Sequence, residues 1–143
     1  MSTSFAKYPA YVLGILMIVF GLNKFLGFIP VEPPADPTAQ AFMGAMFTSY
    51  LFAVVAVAEI VGGAFLFSNK LRFAGWLLLS PVVFNIVAFH VAHDFIGNGI
   101  WLLPTALFVA IGVALRSRIA TLFTATPATA AAPSTTPSGY ATT

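Results

Sequence analysis

No cysteine occurs anywhere in the 143 residues. That absence excludes disulfide exchange by the chain itself, thiolate iron–sulfur ligation and haem attached through thioethers. Any redox role must borrow its electron carrier, and no covalently bound cofactor is expected. Charge is almost as scarce. Asp, Glu, Lys and Arg make up 7% of the chain, four acids against six bases, whereas soluble domains carry about 25%. The net charge of +2 sits near run ends and loops except at Lys24 and Glu59, so it reflects membrane topology and nucleic acid is not expected as a partner. Also missing are a nucleophile–base pair, a phosphate-cradling glycine loop and paired carboxylates. No catalytic residue and no independent catalytic activity are therefore expected.

What the chain has is apolar length: 59% of residues are hydrophobic and 15% aromatic, with a mean hydropathy of +0.96. Four runs are read as membrane crossings, for which roughly 20 residues are the usual length. The first, residues 9–28, opens on a first-turn proline and lacks a small-x-small cleavage site, so it reads as a retained helix rather than a signal peptide. The proline-rich segment 29–37 should be extended, with Asp36 capping and Pro37 opening a second helix that continues to about Phe67. A polar turn, residues 68–72, precedes a third helix over 73–93, where Pro81 frees the Leu77 carbonyl and should bend the axis. After a glycine-marked turn at 94–99, a fourth helix over 100–115 stops at Arg116 and Arg118.

The expected fold is all-α: a four-helix integral membrane bundle over residues 1–118, with a low-complexity Ala/Thr/Pro-rich tail over 119–143. In this plan Lys7, Lys70, Arg72, Arg116 and Arg118 share one side and Glu32, Asp36 and Asp94 the other. The positive-inside rule then makes both termini cytoplasmic. Tyr8, Tyr11 and Trp76 fall near the inner interface and Trp101 near the outer one, where aromatic residues anchor helices.

Glu59 interrupts an otherwise uncharged run, 41–67. A carboxylate at that depth costs several kcal/mol unless paired, hydrogen-bonded or protonated, which makes it a functional candidate that needs a partner. At 1.5 Å per residue Glu59 lies roughly 12 Å above the cytoplasmic end, Asn85 about 18 Å and Lys24 about 23 Å, heights that overlap once side-chain length and tilt are included. Lys24 and Glu59 can then meet, directly or through Asn85 or a water. Gly14, Gly21 and Lys24 share a side of the first helix, and Glu59, Gly62 and Gly63 a side of the second, as close small-residue packing requires. In the alternative, Lys24 snorkels to headgroups and Glu59 is neutral and bonded to helix backbone. His90, His93 and Asp94 form a second polar set. Their spacing presents two imidazoles side by side, offering a proton relay, a quinone-carbonyl contact or interfacial hydrogen bonding, while a metal would need further ligands. On a regular helix His93 turns closer to Asn85 than His90 does.

Three motifs in order, Gly21-Leu22-Asn23-Lys24, Glu59-Ile60-Val61-Gly62-Gly63 and residues 81–90 (Pro-Val-Val-Phe-Asn-Ile-Val-Ala-Phe-His), resemble the DoxX family of small four-helix bacterial membrane proteins. The resemblance covers about residues 9–115. It implies a bundle in the bacterial cytoplasmic membrane, surrounded by lipid and by other subunits of a membrane complex. It also suggests an accessory role in a redox or respiratory assembly, with quinone as the ligand. Lys24, Glu59, Asn85 and His90 occupy the family-like positions; with His93 they form the candidate cofactor-binding set. The competing readings are a structural scaffold subunit without ligand chemistry, or a small transporter.

Overall fold

The computed structural model describes residues 7–93, 95 and 99–124. Among them there is no strand, and six helices carry the fold. Helix α1 (Lys7–Leu26) ends where Gly27 takes a φ of 62° and its N–H bonds the Asn23 carbonyl at 2.8 Å. This left-handed residue, open to glycine at no steric cost, stops the helix two residues before the expected Phe28. The Asn23 amide then brackets the following loop, donating to the Ile29 carbonyl at 3.1 Å and accepting from the Ile29 N–H.

Asp36 caps α2 (Pro37–Thr48), accepting from the N–H groups of Thr38 and Ala39 at 3.3 and 3.2 Å. The single helix expected over 37–67 is broken, because α3 (Tyr50–Leu66) leaves α2 at 81°. Ser49 makes the break. Its hydroxyl accepts from Leu51 N–H and donates to the Met46 carbonyl, and its backbone is extended at φ −102°, ψ 165°. Serine can satisfy local backbone groups in this way, which offers the chain an alternative to continuing the helix.

Helix α4 (Arg72–His93) is continuous through Pro81. The Leu77 carbonyl that proline leaves without an N–H partner is taken by the Ser80 hydroxyl at 2.7 Å. Helix α5 (Leu102–Ala114) is followed by α6 (Arg116–Phe123) at 69°. The chain is therefore helical past residue 118, and the tail expected from 119 begins no earlier than Thr124. The remainder of that tail and Asp94 lie outside the described residues.

By length and apolar content α1 and α4 can each cross a membrane, and up to four crossings result if each bent pair serves as one. Helix α3 alone, at 17 residues, reaches only about 25 Å, short of a hydrocarbon core of about 30 Å. Helices α1, α3, α4 and α5 alternate in direction. Tyr11 stacks on Phe67, Arg72 bonds the Leu66 carbonyl, and Trp76 bonds the Phe108 carbonyl. Lys7, Lys70, Arg72, Arg116 and Arg118 consequently gather at one end, and Asp36 lies beside His93 at the other.

The core sits toward the basic end, where Ala10, Leu13, Met17, Leu66, Leu79 and Ile111 are fully buried. Outside it, large apolar side chains such as Ile15, Val54, Val57, Val109 and Val113 are exposed along the helices. An apolar exterior around a small packed interior suits hydrocarbon as solvent. The two tryptophans pack against other rings of the chain. Trp76 stacks on Phe108 at 4.8 Å between α4 and α5, and Trp101, 8% exposed, stacks on His90.

Candidate functional site

Glycine sets the α1–α3 crossing. A Cβ at Gly63 would stand 2.8 Å from the Gly14 carbonyl oxygen, and one at Gly14 would stand 2.8 Å from the Gly63 carbonyl oxygen, so the two backbones touch. About two turns toward the acidic end, Gly21 lies against the Ala56 carbonyl, Ile60 and the Cβ of Glu59. Lys24 follows Gly21 by three residues and Glu59 precedes Gly63 by four, so both side chains enter the same crevice. Lys24 Nζ donates to Glu59 Oε2 at 2.6 Å. The glutamate side chain is 3% exposed and the lysine 18%. Charge-assisted contact at this distance offsets the desolvation that burial imposes on each group. Because only one contact of the ammonium is used on Glu59, its remaining N–H donors are left for a group arriving at the partly exposed side.

Asn85 does not join them. It lies on an exposed part of α4 and its amide has no hydrogen-bond partner among the described residues. It lines a half-open groove of about 490 Å³ with Phe42, Ala45, Met46, Ser49, Leu51 and Val55, created where α2 swings away from α3. The expected triad of Lys24, Glu59 and Asn85 is thus an ion pair plus a separate amide, since the break at Ser49 redirects the wall that α4 faces.

The two histidines also separate. His90 donates from Nδ1 to the Ile86 carbonyl at 2.8 Å and stacks on Trp101 of the loop before α5 at 5.6 Å. A carbonyl can only accept, so Nδ1 carries the proton there. His93 turns to the opposite neighbour, its Nδ1 2.7 Å from Asp36 Oδ2. Phe89 touches both rings and packs at a tilt against Phe42 of α2. Asn85, Phe89 and His93 therefore follow one another along the side of α4 that faces α2, which puts His93 and not His90 on the Asn85 side. The imidazoles do not stand side by side as the i, i+3 spacing suggested.

The Asp36–His93 clasp was not legible in advance because the two residues are 57 apart. The helix-cap signal identified Asp36, but one carboxylate oxygen does double duty, capping Ala39 N–H and holding His93. Partial desolvation pushes the Asp36 carboxyl up. The His93 hydrogen bond, the Ala39 and Thr38 amides and the His93 charge together outweigh it and hold the carboxyl below the usual carboxylate range.

Arg72, read from sequence as part of a polar turn, is 4% exposed. Its Nε donates to the Leu66 carbonyl at 3.1 Å, and its guanidinium lies 5.9 Å from the Tyr11 ring centre. A cation on the terminal carbonyls of α3 satisfies an otherwise orphaned acceptor and opposes the helix dipole. The arrangement as a whole offers one buried ion pair with spare donors, one unpaired amide and one carboxylate–imidazole clasp. Compared with known proteins, the chain matches no family model, no curated protein and no solved structure.

Proposed function

We propose that this chain is an accessory, non-catalytic subunit of a redox or respiratory assembly in the bacterial cytoplasmic membrane, in keeping with its resemblance to the DoxX family. In this reading it crosses the membrane four times, the α2–α3 and α5–α6 pairs each serving as one crossing. The gathering of Lys7, Lys70, Arg72, Arg116 and Arg118 at one end supports cytoplasmic termini through the positive-inside rule.

The observation that carries the proposal is Lys24: an ammonium neutralised by a buried carboxylate yet 18% exposed, with donors to spare. A quinone headgroup presents carbonyl acceptors on a flat apolar ring, and such an acceptor can bond Lys24 without separating it from Glu59. His90 and His93 are engaged elsewhere and Asn85 opens into a separate groove, so all three are second contacts at most. Purification with native lipids followed by quinone extraction tests this. Quinone should accompany the parent protein and fall at least about tenfold in Lys24→Met, and its absence from the parent would reject the ligand role.

A scaffold without ligand chemistry is the second reading, favoured by the backbone contacts at Gly14–Gly63 and Gly62–Gly75 that hold the bundle without the ion pair. Under it, the double variant Lys24→Met/Glu59→Leu still assembles with its partner subunits and supports their activity. Loss of that activity in a folded double variant would remove the scaffold reading.

A further inference from the structure

We infer that a second copy of this chain packs along α4, with Asn85 of each copy hydrogen-bonded to Asn85 of the other across a two-fold axis. Asn85 stands 13 residues after Arg72 and eight before His93, so it lies about 20 Å from one end of the helix and about 12 Å from the other. A helix of this length crossing a bilayer holds that amide in hydrocarbon. There an unsatisfied amide costs several kcal/mol, and neither acyl chains nor the described residues of this chain supply a partner.

The surroundings of Asn85 specify another helix. Ala74, Leu78, Pro81, Asn85, Ala88 and Ala92 are all exposed and recur at alternating spacings of four and three. This is the 3.5-residue period of a helix–helix seam, and its three alanines let a second backbone approach closely. One asparagine within an otherwise apolar seam is the arrangement that fixes register and oligomeric state in paired helices. Phe84, 76% exposed beside it, forms a ridge between the groove at Asn85 and a shallower one of about 630 Å³ lined by Ser80, Pro81, Val87, Thr105, Phe108 and Val109. A ridge with hollows on either side can interdigitate with a copy of itself.

Chemistry selects the same occupant. A primary amide offers N–H donors and a carbonyl acceptor. A carbonyl-bearing ligand could satisfy only the donors, leaving Oδ1 unpaired. A second Asn85 satisfies donor and acceptor together, and an axis along the membrane normal sets both amides at the same depth. This contact is independent of the redox and scaffold readings above, because it uses neither Lys24 nor Glu59.

The chain's lack of cysteine makes single-cysteine variants free of background. Ala88→Cys on the seam and Val57→Cys on the exposed face of α3 are to be oxidised in membranes containing the full chain. A covalent dimer is expected at Ala88 and not at Val57. Adding Asn85→Leu should lower the Ala88 dimer fraction by about threefold or more, with Asn85→Gln restoring part of it, while helix content is unchanged because the site is exposed. Equal cross-linking at Ala88 and Val57, or none at Ala88, would overturn the seam. An Ala88 dimer unaffected by Asn85→Leu would overturn the amide pair, as would a co-purifying carbonyl ligand on a monomer that is lost in Asn85→Leu.

Discussion

Removing Lys24 should cost more than removing both members of the ion pair. At the 2.6 Å separation of Nζ and Oε2, two unit charges attract by about 6 kcal/mol for an effective dielectric of about 20. Against this stands a desolvation penalty of several kcal/mol per ion, so the intact pair is close to neutral in net stability. Lys24→Met deletes the attraction and keeps the penalty of Glu59, whose side chain is 3% exposed. A loss of about 3–5 kcal/mol is expected. Glu59→Leu should cost less, about 1–2 kcal/mol, because Lys24 is near the end of α1 and can extend its head toward the surface. The double variant should come within about 1 kcal/mol of the parent, since apolar packing replaces both charges. Reversible unfolding in mixed micelles, followed by far-ultraviolet circular dichroism, supplies the four free energies. If the double variant loses the sum of the two single losses, the charges act independently and the reasoning fails.

Acid should release α2 from α4. Asp36 has a lowered pKa in the folded chain, so its contribution is fully present above the ordinary carboxylate value of about 4 and is lost as pH falls through the lowered value. A spin-label distance between α2 and α4 should lengthen over that acid range in the parent and show no such step in Asp36→Asn. Gly63→Ala should destabilise by about 1–3 kcal/mol, because the new Cβ meets the Gly14 carbonyl oxygen at 2.8 Å and backbone must move. Gly44→Ala, with nothing within 4 Å inside α2, should stabilise by about 0.5–1 kcal/mol; thermal unfolding checks the pair. Ser80→Ala should cost about 1 kcal/mol by orphaning the Leu77 carbonyl above Pro81, read from hydrogen exchange across that turn.

Apolar run length and proline made the first and third helices legible to within two residues, and the Lys24–Glu59 contact followed from two glycine-flanked charges at overlapping heights. The break at Ser49 was not legible. Its run, Ala-Met-Phe-Thr-Ser-Tyr-Leu-Phe, is apolar on both sides, and a serine inside a membrane helix ordinarily bonds back to the preceding turn without ending it. That one hydroxyl decides whether α2 continues the crossing or folds beside α4, and the placements of Asn85 and His93 depend on it. Arg72 escaped for a related reason. A charged residue after a polar turn reads as solvated, and only the end of α3 beside Tyr11 reveals the buried carbonyl it serves. The helix past Arg118 was hidden because the Arg116 and Arg118 charges read as a stop and the proline-rich segment beyond as a tail, although Ile119, Ala120 and Leu122 are compatible with helix.

The burial of Glu59 follows from its neighbours more than from its own chemistry. Gly62 and Gly63 are adjacent, so on a helix they face directions about 100° apart. Gly63 admits α1 at Gly14, while Gly62 admits α4, whose Gly75 would place a Cβ 2.7 Å from the Gly62 carbonyl oxygen. A single glycine could draw in one neighbour; the doublet draws in two and closes α3 between them. Glu59, one turn before both, is then sealed from hydrocarbon and from water alike. A carboxylate so enclosed needs a cation, and the approach of α1 that encloses it also brings Lys24 within reach. The ion pair and the helix crossing are thus one structural decision, which is why the charges can be exchanged for apolar side chains while Gly63 cannot gain a methyl group without moving α1.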